Sequence, residues 1–271
     1  MQDYIQIFVS EASDKVNLII IAFAAMTVLS WLKSGREAFQ WDEGLRQSGI
    51  VNLCLLVFNL AALIIPVLAA GALVKLLRDV PHIPAETWDD VPLLVKALAA
   101  FFIYDVTFYA FHATSHANKW LWPLHAVHHS DTRMHFLSST RAHILEWVLS
   151  IPLLAVSAYL CGLSINGIAF LVILREAHQF YVHSSLDWSH GPLRHVIASP
   201  RFHRWHHIDR EDAHNKNFAL FFPFIDLAFG TYHVPGPSKD MKTGFEGNPG
   251  DDFGRLIVYP FLEWARLIRR S

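Results

Sequence analysis

Two cysteines, Cys54 and Cys161, are all that this 271-residue chain contains, and both lie inside apolar runs. Two thiolates are too few for an iron–sulfur cluster or a thiolate zinc site, and their placement offers no disulfide framework. Charge is scarce as well. Lys, Arg, Asp and Glu make up 17% of the residues, against about a quarter in an ordinary soluble domain. A formal net charge of −2 leaves no basic footprint for nucleic acid. The opening residues, MQDYIQIFVSEASDK, are acidic and lack the positive segment of a cleaved leader, so the apolar run after them is expected to be retained. No internal repeat or low-complexity tract is evident.

What fills the space left by charge is apolar: 53% of the residues are hydrophobic. A helix needs roughly 20 apolar residues to cross a bilayer core. Residues 16–32, 50–77 and 93–111 form three candidate spans, and Pro66 is expected to kink the second. Residues 145–160 and 165–182 read as a membrane hairpin joined at CGLS. No further span follows His183. The expectation is an all-α integral-membrane bundle of about four to five membrane helices under a histidine-rich helical cap. Residues 1–92 supply N-terminal transmembrane helices and residues 93–271 the histidine-bearing domain. Counting crossings puts both histidine-rich blocks on one face, and the bias of Lys and Arg makes that face cytoplasmic. In a bacterium that places the protein in the inner membrane, in a eukaryote in the endoplasmic reticulum. The closing segment, GRLIVYPFLEWARLIRRS, reads as an amphipathic helix lying at the interface or packed on the cap.

Histidine is the residue in excess. There are seventeen, and fourteen lie between His112 and His207. His112 and His116 are four apart, which puts both on one helix face. His125, His128 and His129 stand at i, i+3 and i+4, and His203, His206 and His207 repeat that spacing. His183 ends the last apolar helix. One HxxxH means little, because ordinary surface helices produce it. Two HxxHH blocks with an HxxxH would require nine separate explanations if none bound metal. Neutral imidazole suits iron, zinc and copper. Nine nitrogens exceed the capacity of one ion and fit two, with positions left open, whereas a structural zinc site stops at four ligands.

Neutral ligands leave the metal charge uncompensated, so carboxylates should stand nearby. Asp105 lies two turns before His112 on the same face, inside an apolar span. An ionisable group there is a functional candidate, expected to accept a hydrogen bond from a ligand imidazole. Glu146 and Asp131 are further candidates of that kind. His178 and His143 are near enough in the chain to approach the metals and rank below the nine.

The order HxxxH, HxxHH, a lone His, HxxHH resembles the fatty acid hydroxylase superfamily, also called the sterol desaturase family, of membrane non-haem di-iron enzymes. RAHILEW is similar to its Arg-x-His-x-x-Glu stretch, SPRFHRWHH to its third block, and NKNFALFFPFIDLAFGTYH to its Asn-Tyr-Gly, Trp-Asp and Phe-Gly-Thr segment. The likeness spans roughly residues 95–235. Ala219 stands where the family has Gly and Ile225 where it has Trp. Gln179 occupies the position of a further His in the fatty acid 2-hydroxylases. The resemblance implies two iron ions, for which zinc can substitute in purified protein, and O2-dependent hydroxylation of a lipid C–H bond. The lipid is expected to enter from the bilayer. It also implies a separate electron donor, of cytochrome b5 or ferredoxin type with its reductase, since no cytochrome b5 segment is present. A sterol-type desaturase is the alternative within enzymes. A histidine-rich metal transporter or sensor is the alternative outside them, disfavoured because the histidines cluster on one face.

Overall fold

The computed structural model describes residue 28, residues 42–78 and residues 88–270. The first expected span, 16–32, lies outside the described residues apart from Val28. Nine α-helices and no strands occur among the described residues: α1 Glu43–Ala61, α2 Ile64–Arg78, α3 Leu93–Ala117, α4 Trp122–His129, α5 Ile144–Leu160, α6 Ile165–Val182, α7 Pro200–His207, α8 Phe224–Phe229 and α9 Phe253–Arg270. A single β-bridge joins Ile208 to Thr243.

Helix α1 starts at Asp42, whose side chain accepts from the Leu45 N–H at 2.8 Å, satisfying one of the unpaired donors of a first turn. The expected 50–77 span is two helices rather than one kinked helix. Proline has no N–H and crowds the carbonyl four residues back, and for Pro66 that residue is Ala62. The chain breaks at Ala62–Leu63, where the Ala62 carbonyl takes the Ile65 N–H instead (3.0 Å). The disruption therefore falls upstream of the proline that causes it.

Helix α3 has 25 residues, about 37 Å at 1.5 Å per residue, against a hydrocarbon core of about 30 Å. Its final turn can thus project His112 and His116 beyond the apolar layer. Among the described residues, only α1 and α3 are long and apolar enough to cross a membrane; α2 and α5 are shorter apolar helices. Ile50, Leu53 and Val57 on α1, Leu68 and Leu76 on α2, and Leu94 and Leu98 on α3 point outward and exposed, the pattern of a lipid-facing surface.

The two helices expected on either side of CGLS are present as α5 and α6. Gly162 turns the connection between them at φ +64°, and a Cβ there would lie 2.9 Å from the Trp88 side chain, so the position requires glycine on two counts. Ser164 then caps α6 through the Gly167 N–H. Where α3 meets the hairpin, Ala100, Ala158 and Cys161 are fully buried among Phe101, Phe108 and Leu171. Small residues let apolar helices approach closely, and packing then supplies the attraction that lipid cannot. The closing helix α9 packs on the cap, with Leu256 against Val127 of α4 and Val51 and Leu55 of α1.

Candidate metal centre

Helix α3 runs through His112 and His116 to Asn118, whose extended backbone and side chain (Trp120 N–H, 2.8 Å) make the turn into α4. Pro123 sits in the first turn of α4, where its missing N–H costs nothing. Helix α4 then presents His125, His128 and His129. His183 is the C-cap of α6. Ser199 caps α7 by accepting from Phe202 N–H (3.1 Å), and α7 presents His203, His206 and His207. These nine side chains converge, none of them exposed. They form two groups, each with one ring nitrogen per residue within 4.8 Å of the others: His112, His116, His125, His129 and His206, and beside them His128, His183, His203 and His207.

The hydrogen bonds on the far side of the rings determine what the near side can do. His112 Nδ1 donates to the Phe218 carbonyl (2.8 Å), His125 Nδ1 to Glu146 Oε1 (2.7 Å), and His206 Nδ1 to the Lys216 carbonyl (2.7 Å). His128 Nδ1 donates to the Arg141 carbonyl (3.1 Å) and His183 Nδ1 to the Gln179 carbonyl (2.8 Å). Carbonyl and carboxylate oxygens only accept, so Nδ1 carries the proton of each neutral ring and Nε2 is a bare lone pair. Yet His112 Nε2 lies 2.9 Å from His125 Nε2, and His128 Nε2 lies 3.2 Å from His183 Nε2. Two lone pairs facing each other at that distance repel unless a cation lies between them. Metal–nitrogen bonds of about 2.0–2.1 Å put neighbouring ligand nitrogens about 2.9 Å apart in an octahedron and about 3.3 Å apart in a tetrahedron. The ends of His116 and His206 at Nε2 are buried without a partner, which a bound ion would remedy. The donor set fits first-row transition ions.

Burial keeps six of the rings uncharged. It holds His128 at about 4, with His125 adding to the effect, and it pushes His129, His183, His203, His206 and His207 well below the usual imidazole range. A ligand must be unprotonated, so this desolvation prepares the nitrogens for metal. Asp131 behaves oppositely. Burial alone would raise it, but the Arg141 guanidinium, His135 and hydrogen bonds from Ser138 and Asn52 hold it at about 2. It contacts none of the nine histidines; it ties the turn after α4 to Ser48 and Asn52 of α1.

The segment after α7 is organised by two buried carboxylates. Asp226 accepts the N–H groups of Phe218 (2.8 Å) and Ala219 (2.9 Å), and Asp105 those of Leu220 (2.7 Å), Phe221 (3.0 Å) and Phe222 (2.6 Å). Five consecutive amides are thus held from two sides, which aims the Lys216, Phe218 and Leu220 carbonyls at His206, His112 and His178. Asn217 adopts φ +58° and bridges the Phe202 carbonyl and His233; asparagine tolerates that left-handed conformation better than most residues. Asp105 therefore differs from expectation: it takes no proton from an imidazole and works through the loop. Glu146 stands where expected, on His125. His178 and His143 belong to neither group. His178 donates to the Leu220 carbonyl and stacks on Phe221, because its helical position turns it away from His183. His143 caps α5 and reaches the Ile257 carbonyl of α9. The pairing of Asp226 with this loop is the feature that side-chain spacing missed, since its partners are backbone groups.

A cavity opens onto the imidazoles between α3, α5 and α6. His112, His125, His128 and His203 line one side, and Arg175 and Gln179 line another.

Residues 97–231 match the family described as fatty acid hydroxylase. The chain is 26% identical over 178 residues to the ornithine lipid hydroxylase OlsE of Rhizobium tropici, covering 66% of this chain and 54% of that protein. It is 30% identical over 175 residues to the alkylglycerol monooxygenase of Danio rerio, covering 62% and 37%. It is 28% identical over 194 residues to a very-long-chain aldehyde decarbonylase of Oryza sativa subsp. indica, covering 67% and 30%. The matched part thus spans about half or less of each relative. No solved structure matches. A helical chain with apolar outward faces, bringing nine imidazoles together within this matched segment, belongs to the fatty acid hydroxylase superfamily.

Proposed function

We propose that the protein is a membrane-bound di-iron monooxygenase that hydroxylates a C–H bond of a lipid, with His112, His116, His125, His129 and His206 around one ion and His128, His183, His203 and His207 around the other. The observation that carries this reading is the set of bare Nε2 atoms facing one another, their tautomers dictated by acceptors behind them. The chemistry that iron supplies here is reductive activation of O2, with two electrons from a separate cytochrome b5- or ferredoxin-type donor.

The chain's own residues do the rest. Glu146 holds the His125 ring and its proton, and raises the basicity of the opposite nitrogen. Asp105 and Asp226 set the loop that orients His112 and His206. The buried cavity limits water, which protects a reactive site from side reactions. The outward apolar faces of α1, α2 and α3 support a multi-pass topology in which residues 1–92 supply N-terminal membrane helices and residues 93–271 form the catalytic domain, and the Lys and Arg bias of the loops supports a cytoplasmic cap. The relatives' names, a lipid hydroxylase and an alkylglycerol monooxygenase, support a lipid substrate.

Metal analysis of the purified protein tests the ligand assignment: two ions per chain, iron or substituted zinc, are expected, and fewer would refute it. Comparing lipids of cells with and without the protein tests the reaction. A gain of one oxygen is expected, whereas loss of two hydrogens would make it a desaturase.

A further inference from the structure

Helix α6 turns Arg175, Glu176 and Gln179 into the same cavity as Phe108 of α3 and Glu146, Trp147 and Ser150 of α5. Arg175 donates Nε–H to the Tyr104 hydroxyl of α3 (2.8 Å) and pairs with Glu176. Among the described residues no further acceptor lies within hydrogen-bond reach of its guanidinium, which has five donors to place. Gln179, one turn on, is 9% exposed, and one end of its amide is buried without a partner. All three line the cavity that also exposes the imidazoles. Arg175, Gln179 and His183 form one stripe at i, i+4 and i+8, so the backbone of Arg175 stands about 12 Å along the helix from that of a metal-group histidine.

A pocket shaped for hydrocarbon gains nothing from these groups. Ionisable residues among membrane helices are costly and mark substrate sites, and a buried amide end without a partner costs free energy until a ligand supplies one. Glu176 compensates the Arg175 charge, so the pair favours a group that both donates and accepts hydrogen bonds over one with net negative charge. We infer that Arg175, Glu176 and Gln179 form a subsite for the uncharged or zwitterionic hydrogen-bonding head of a lipid, such as an amide or hydroxyl, so that the carbon presented to the imidazoles lies close to the head rather than deep in an acyl chain. Delivery of that carbon to the imidazoles rests on the oxygenase reading; the subsite itself does not.

The test uses the full-length protein in lipid nanodiscs and two diazirine probes of equal chain length, one headed by a serinol amide and the other an unheaded alkane. The amide-headed probe is expected to label the α6 peptide containing Gln179 at least about tenfold more than the alkane, and Gln179→Leu is expected to lower that labelling about tenfold without lowering the melting temperature. Equal labelling by both probes, or full labelling in Gln179→Leu, overturns the inference. Loss of labelling together with a lower melting temperature also overturns it, because the amide would then be structural. Labelling needs neither metal nor turnover. Labelled protein without lipid oxidation would therefore refute only the proposed reaction, and lipid oxidation with equal labelling would refute only the subsite.

Discussion

The five-imidazole group and the four-imidazole group share helices α4 and α7 and touch through the stacked rings of His129 and His207, whose centroids are 4.4 Å apart. Their supports are different. Behind the first stand carboxylates: Glu146 directly on His125, and Asp105 and Asp226 through the loop that holds His112 and His206. Behind the second stand backbone carbonyls, Gln179 at the end of α6 and Arg141 before α5. A carboxylate makes the imidazole it holds a stronger donor than a carbonyl does, so the two groups should bind metal unequally, the first more tightly. It is also the group more exposed to single substitutions, because Glu146 holds His125 directly and Asp105 and Asp226 set the loop whose carbonyls hold His112 and His206.

The largest expected effect comes from removing a nitrogen. His206→Ala should leave one ion per chain, and His128→Ala likewise, each with activity reduced at least about 100-fold, beyond what loss of a supporting partner costs; metal content and turnover measured on the same samples check this. Glu146→Gln should weaken metal binding about 10–100-fold at the five-imidazole group alone. Titration with a chelator would then show one labile and one retained ion. If both ions are lost together, the groups are not independent and the contrast fails. Asp226→Asn leaves the Phe218 and Ala219 amides poorly paired, and should cost roughly 3 kcal/mol of stability with only a modest fall in metal affinity; thermal unfolding with and without added iron checks it.

The smallest effect belongs to the clip that steadies the route to the four-imidazole group. Asp187 accepts from Arg201 at the start of α7 and from Ser238. Burial would raise its carboxyl, but these partners outweigh it and hold it below the usual carboxylate range. A depressed value contributes stability above the unfolded value of about 3.8, lost as pH falls through the folded value. Asp187→Asn should therefore flatten the acid limb of the stability curve and shift the neutral melting temperature only slightly.

How far the sequence discloses these features depends on who the partner is. The nine histidines are legible because helical spacing puts i, i+3 and i+4 on one face, and the hairpin because CGLS separates two apolar runs. Asp105 stands out by its depth, but its partners are backbone amides some 115 positions later, and backbone donors leave no mark in side-chain spacing. Asp226 escapes for the same reason. His178 and His143 illustrate the opposite error: nearness in the chain suggests nearness in space, whereas the helix turns one toward Leu220 and the cap turns the other toward α9. At Pro66 the steric effect is legible but its address is not, since the strain falls on Ala62.

The loop stapled between Asp105 and Asp226 also constrains biosynthesis. The ribosome delivers five of the nine histidines on α3 and α4 some seventy residues before α7, and the carboxylate that closes the loop arrives nearly a hundred residues after His129. Until α7 and the loop after it are made, the early imidazoles lack His203, His206 and His207, and His112 lacks the Phe218 carbonyl that selects its tautomer. On the di-iron reading, metal loading would therefore be a late event, and a chain arrested before Asp226 would lack the carboxylate that closes the loop.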